Sequence, residues 1–211
     1  MDDKSYIVES VRTPIGSFGG QLSNFSAPEL GASVIKRIIE RTGLGKDIVE
    51  EVIFGNVLSA GIGQAPARQA ALNSGLPVKV NCLTINKMCG SGLKAVMLAD
   101  QAIRTNSTGV VIAGGIESMS NAPYLVPKSL SRFGHKMMID SMIHDGLWDA
   151  YNDIHMGNCA EMLVTKRKYS RESQDKYSIH SYNCAQNAQK KGYFADEIVP
   201  VRNADGTLID F

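Results

Sequence analysis

The sequence has no long block of basic or acidic residues: 22 Lys and Arg stand against 21 Asp and Glu, for a formal net charge of +1. Nucleic acid and anionic membrane surfaces therefore have no compositional support as partners. Local positive charge for a phosphate-bearing substrate stays open. There are four cysteines but no CxxC pair and no close Cys/His spacing, which argues against a structural zinc site, and no other metal is expected. With no signal sequence in view, these cysteines read as reduced thiols of a reducing compartment. The opening Met1-Asp2-Asp3-Lys4-Ser5 has neither an apolar stretch nor an Arg-rich amphipathic pattern, so a cytoplasmic location is the default, with a mitochondrial one after transit-peptide removal as the alternative. No uninterrupted apolar run approaches the length of a bilayer-spanning helix. Internal repeats and low-complexity segments are absent too. What remains is a chain of 211 residues, long enough to bury a substantial core in one large or two small domains.

The first half alternates strand and helix patterns. Tyr6–Val11 reads as a first strand, ended by Pro14 and the glycines from Gly16 to Gly20, with Arg12 as a solvated strand end. Ser26-Ala27-Pro28-Glu29 opens a helix with Ser26 or Ala27 as the cap. Leu30, Val34, Ile35, Ile38 and Ile39 form its apolar face, and Gly43 ends it. Val52–Leu58 is a second strand. Gly61 and Gly63 after it lack the Lys-Ser/Thr or third glycine of a phosphate loop and read as a connection. Pro66–Asn73 is a short helix, in which Arg68 is a buried structural cation or an interface residue. Gly109–Ala113 is a further buried strand. Regular alternation of this kind argues for an α/β layered domain.

The stretch from Asn81 to Met97 carries the chemistry. A β-branched run passes through Cys89 in a glycine-rich turn, and Leu93, Val96, Met97, Ala99 and Ile103 then recur at helical spacing for roughly four turns. Gly90 and Gly92 permit a sharp strand-to-helix turn and close approach of a ligand. Cys89 is thereby placed at or just before the first helical turn, where free N–H groups and the helix dipole favour an anion. A thiolate at such a place has a lowered pKa and is a usable nucleophile. Nucleophiles on strand–turn–helix elbows have the same mechanics. Cys82, Cys159 and Cys184 have no such setting and read as small buried hydrophobes. Glu117, just past a strand's C-terminal end, either orients backbone or a partner near a pocket, or is a surface carboxylate.

Asn86-Lys87-Met88-Cys89-Gly90-Ser91-Gly92-Leu93-Lys94-Ala95 closely resembles the acylated-cysteine signature of the thiolases, the acetyl-CoA acetyltransferase family. Arg12–Phe18, Pro66–Ala70, Ala113–Ser120 and His155-Met156-Gly157 resemble thiolase stretches in the family's order, so the likeness covers essentially the whole chain. It implies an α/β, thiolase-like layered fold: residues 1–117 would be the N-terminal half of a duplicated α-β-α core, and 118–211 an incomplete, irregular and helical loop domain that binds coenzyme A. It implies an acyltransferase that condenses acetyl-CoA, or cleaves acetoacetyl-CoA or a longer 3-oxoacyl-CoA, through an acyl thioester on Cys89. Leu147, His155 and Met156 match coenzyme A contacts of relatives. Tyr182 matches a Tyr near coenzyme A and a monovalent cation, potassium. No tightly bound cofactor is implied beyond that possible cation, coenzyme A thioesters being substrates. A homodimer or homotetramer is implied as well.

The resemblance also marks departures. Relatives usually carry Asn where Ala65 stands, and many have a small polar residue at Trp148, whose ring would narrow an acyl pocket or shield the core. The Asn-Glu-Ala-Phe and Gly-His-Pro stretches and the second glycine-flanked Cys of the family's C-terminal half do not occur. The expectation is a chain that needs a second half for turnover. A non-catalytic acyl-CoA-binding or assembly module is the alternative, and a condensing enzyme acting on a carrier-protein thioester the third reading. Residues 121–154 are expected to form an ordered irregular excursion. His135, His144 and His180 read as satisfied core histidines, and Tyr182 on its own chemistry as a half-buried packing residue. Two helices, Asn158–Lys168 and Ser170–Lys191, follow, then an edge strand at Ile198–Val201 and a turn at Asp205-Gly206.

Overall fold

The computed structural model describes residues 4–128, 133–203 and 205–210. Met1–Asp3, which open the stretch read for a leader, lie outside these residues, as do Phe211 and residues 129–132 of the irregular excursion. Helix α1 spans Ala27–Thr42. Ser26 caps it and Glu29 reaches back to the Ser26 N–H, completing a capping box, while Gly43 closes it in the left-handed region at φ 64°. Strand β1, Glu51–Gly55, is followed by α2 (Pro66–Asn73), β2 (Asn81–Ile85), α3 (Ser91–Arg104) and β3 (Val111–Gly115).

The three strands form a parallel sheet in the order β2–β1–β3, with Val52 level with Cys82 on one side and Ile112 on the other. Because β1 is central, it is buried on both faces and carries a continuous apolar run. Its side chains alternate between two cores. Val52 and Phe54 pack with Ile35, Ala67, Ala70 and Ile112 beneath α1 and α2, whereas Ile53 packs with Ala95 and Ala99 of α3. The result is the expected α/β layering: two helices on one face, α3 on the other.

Past β3 the elements are short. Strand β4 (Tyr124–Leu125) pairs with β5 (Ile139–Asp140), and a single wide helical turn over Met142–Leu147 leads into β6 (Trp148–Asp149), which pairs with β7 (Ile154–His155). Helices α4 (Met156–Arg167) and α5 (Arg171–Lys190) bury none of their residues. Strand β8 (Val201–Arg202) pairs antiparallel with β9 (Leu208–Ile209) across a turn at Asp205-Gly206. Ser170 caps α5 by accepting from the Ser173 N–H, without the return bond that a Glu at 173 would supply.

Several expectations are corrected. Among the described residues Tyr6–Val11 pairs in no sheet; Ile7 and Val8 are exposed, and ladder contact begins only at Arg12, which bridges to Ile198. Strand propensity supplies no partner, and neighbours decide whether a β-branched run pairs. Arg12 is not a free strand end: its Nε lies 2.7 Å from Glu197 and its guanidinium 5.0 Å from the Phe194 ring centre. The second strand stops at Gly55 rather than Leu58, and the third is shifted to Val111–Gly115. His135, His144, His180 and Cys184 are exposed, not core. Among the described residues no helix is long and apolar enough to cross a membrane.

Candidate active site

All three sheet strands point their C-terminal ends the same way, and the site is built there. Gly55 ends β1 directly under the first turn of α3: a Cβ at Gly55 would lie 2.5 Å from Ser91. Gly92 in turn lies against Gly115 at the end of β3, with 3.3 Å between the Gly92 Cα and a Cβ built at Gly115. Three glycines on three elements thus let the N-terminus of α3 rest on the sheet, which side chains would prevent.

Cys89 sits one residue before Gly90, the cap residue of α3, and is exposed. Met88 before it takes the left-handed region at φ 50°, a conformation uncommon for a bulky residue and typical of a constrained functional turn. Ser91 closes the turn from below. Buried itself, it accepts from the Lys87 N–H at 2.8 Å and donates to the Met88 carbonyl at 2.5 Å. Asn86 accepts from the Met88 N–H at 2.9 Å. Among the described residues no side chain caps α3, and the positive end of the helix faces the Cys89 turn. Among the described residues no titratable side chain hydrogen-bonds the Cys89 thiol.

Beside this turn lies a polar cluster. Asn56, 2% exposed, donates its side-chain amide to the Ile116 carbonyl at 3.2 Å and to Glu117 at 2.8 Å. Its backbone N–H donates to the Ile85 carbonyl at 3.0 Å, at the strand end from which the Cys89 turn departs. Glu117 also accepts from the Val57 and Leu58 N–H groups at 2.9 and 3.1 Å. Of its two readings from sequence, orienting backbone is the one the structure bears out. The Asn56 Oδ1 is buried and has no partner among the described residues. Such an atom costs about 1–3 kcal/mol. Neither Asn56 nor a buried role for Ser91 was evident in sequence, since both are polar residues without periodicity to place them.

The other candidates lie after β3. Hairpin β6–β7 brings three of them together: Leu147 precedes Trp148, Trp148 is level with His155, and Met156 follows. Leu147 and His155 are half-buried, and Met156 is exposed. The Trp148 and His155 rings meet edge to face at 6.4 Å between centres, and the indole N–H donates to Asp153 at 2.9 Å. The His155 Nδ1 accepts from the Gly157 N–H at 2.9 Å, which caps α4 and leaves Nε2 as the free edge. Asp149 holds the connecting turn. Hydrogen bonds from the Asn152 side chain and the Tyr151 N–H keep its carboxyl below the usual carboxylate range. Tyr182 is elsewhere, on α5, and 72% exposed; it is not the half-buried packing residue of the sequence reading.

The remaining thiols differ in kind. Burial pushes the Cys82 thiol above its ordinary pKa, opposed by the nearby Arg68. Arg68 itself donates to the Val80 and Val78 carbonyls at 2.6 and 2.7 Å, a structural cation tying α2 to the chain entering β2. Cys184 lies 3.5 Å from the His180 Nε2, one turn away on α5. An open hollow of about 750 Å³ runs along α4 beside Met162 and Leu163 and does not include Cys89.

Comparison with known proteins places this arrangement. The family model for the thiolase N-terminal domain matches residues 5–208. An acetyl-CoA acetyltransferase of Pseudomonas aeruginosa is 53% identical over 198 residues, covering 93% of this chain and 50% of that protein. Acetyl-CoA acetyltransferase 2 of Arabidopsis thaliana is 50% identical over 211 residues, covering 97% and 52%. The crystal structure of the Acat5 thiolase from Ascaris suum in complex with coenzyme A superposes with a TM-score of 0.92 at 43% identity, covering 97% of this chain and 53% of that one. The chain spans about half the length of the curated relatives it matches.

Proposed function

Because this chain belongs to the thiolase family, we propose that it is the acyl-accepting part of an acyltransferase that condenses acetyl-CoA and thiolyses acetoacetyl-CoA or a longer 3-oxoacyl-CoA. The observation that carries this reading is the exposed Cys89 on a glycine-seated elbow at the C-terminal end of the sheet. The Cys89 Sγ attacks the thioester carbonyl carbon and gives up its proton to a base. The bond from that carbon to the coenzyme A sulfur breaks, coenzyme A leaves as the thiol, and the acyl group stays on Cys89. The start of α3 favours the negative charge that develops on the way.

Leu147 and Met156 offer apolar surface to a pantetheine arm, and the free edge of His155 a hydrogen bond to its amides or phosphate. Tyr182 beside coenzyme A or a potassium ion rests on the family likeness, as does a homo-oligomeric assembly, while a cytoplasmic location rests on the composition of the N-terminal stretch. Residues 1–117 then serve as the core domain and 118–211 as the loop domain. Condensation also requires removal of an α-proton from the second acyl-CoA. All four histidines, at 135, 144, 155 and 180, follow β3 in sequence, and none hydrogen-bonds Cys89. The base is therefore assigned to the part of the thiolase architecture outside these 211 residues.

Mass analysis of peptides after incubation with acetyl-CoA tests the reading. With the C-terminal half of the Pseudomonas relative supplied, one acetyl group should appear on the Cys89 peptide, and thiolysis should be restored; residues 1–211 alone should not turn over. Cys89→Ser should abolish both signals. Acetylation at Cys184 instead, or stable coenzyme A binding with no acylation in the completed protein, would favour a non-catalytic acyl-CoA-binding module.

A further inference from the structure

We propose that Glu117 and Asn56 are positioning residues that brace the Leu147–Met156 hairpin against the end of the sheet. Asn56 is the junction. Its backbone N–H holds the Ile85 carbonyl, where the nucleophile turn begins, and its side-chain amide holds Ile116 and Glu117. Both amide hydrogens face acceptors, so the amide orientation is pinned, and the buried Oδ1 has no partner among the described residues. Glu117 then fixes Val57 and Leu58 through their N–H groups.

Leu58, itself buried, carries the link onward: a Cβ built on Gly146 would lie 3.2 Å from the Leu58 Cδ2. Gly146 is the last residue before Leu147 in the wide turn Met142–Leu147. That turn is anchored at its other end by Ser141, fully buried, whose hydroxyl donates to the Pro123 carbonyl at 2.6 Å. One end of the turn is therefore tied to local chain and the other is seated on a leucine whose backbone is set by Glu117. Loss of the carboxylate frees the Val57–Leu58 N–H groups, lets Leu58 shift, and releases the hairpin that carries Leu147, His155 and Met156. The path does not run through Cys89. The ligand side of this proposal rests on the coenzyme A reading above; the mechanical side does not.

Hydrogen–deuterium exchange of the full-length protein carrying this chain separates the two. In Glu117→Gln the amides of residues 57–58 and 142–148 should exchange faster by about fivefold or more, with α1 and α5 unchanged. Leu58→Ala should raise the same 142–148 amides, and adding Glu117→Gln to it should raise them no further. Should Glu117→Gln fail to fold, Gly146→Ala reads the same contact from the other side and should speed exchange at residues 57–58. Wild-type exchange at 142–148 in Glu117→Gln, or a uniform rise over the whole chain, overturns the proposal. In the same variant coenzyme A affinity should fall by about fivefold or more while the alkylation rate of Cys89 stays at the wild-type value. A wild-type protein that binds no coenzyme A would overturn the ligand reading, and the exchange result would still decide the brace.

Discussion

Ala65 illustrates how much one residue can hold against its own preference. It sits at φ 48°, ψ 69°, just before Pro66 opens α2, and offers no side chain to cap that helix. An exposed alanine has nothing to gain from the left-handed region, whereas Asn enters it with local hydrogen bonding. By the family resemblance Asn is the usual residue here, and the backbone conformation supplies a reason for it. Ala65→Asn should raise the denaturant midpoint at unchanged slope, a gain of roughly 1 kcal/mol. An unchanged or lowered midpoint would show that the turn is held by its neighbours whatever residue stands there. Glu117 teaches the complementary lesson. Its position past a strand was legible, but the choice between surface carboxylate and backbone organiser waited on Val57 and Leu58, about sixty residues earlier in the chain.

At the scale of elements, the seating of α3 on β1 and β3 determines where Cys89 points. The strand–turn–helix was readable from the β-branched run, the glycines and the helical period that follows. The depth of its docking was not, because it depends on Gly55 and Gly115 from two other strands. Gly55→Ala would drive a methyl group to 2.5 Å from Ser91 backbone and side chain, and backbone cannot give way as a flexible side chain would. We expect a loss of roughly 3 kcal/mol, at the upper end of overpacking changes. Cys89 alkylation should change at the same time, since α3 must lift and carry its turn with it. Thermal unfolding paired with iodoacetamide labelling checks this; a variant with native stability and native Cys89 reactivity would mean that α3 has slack beneath it.

For the molecule as a whole, the two sides of α3 differ sharply. Ala95 and Ala99 are buried against the sheet, but Leu93 is 69% and Met97 47% exposed, with Val96 between them. A contiguous apolar face of this kind promotes association. Leu93→Lys combined with Met97→Lys should reduce concentration-dependent self-association of residues 1–211, followed by sedimentation, without lowering the unfolding temperature. A fall in that temperature would show the face to be packed in solution. Distant segments are also joined: Arg12 and Glu197 pair through backbone and side chain, so that the chain after α5 returns to the segment before α1.

Local rules and near-neighbour patterns settle part of this protein along the chain. Ser26 and Glu29 define the start of α1, Gly43 its end, and the apolar β1 run and the helical period after Cys89 the layering. The elbow motif and the stretches around it identify the family and single out Cys89 as the proposed nucleophile, because turn chemistry and motif spacing are written along the chain. Only the tertiary structure decided the rest. Tyr6–Val11 has strand composition but pairs in no sheet among the described residues, and Cys184 and His180 have the make-up of core residues but lie on an exposed helix. Asn56, Ser91 and Glu117 become meaningful through partners that chain order does not reveal. Pairing, burial and polar satisfaction are properties of what stands opposite a residue, and what stands opposite is settled only when the chain has folded.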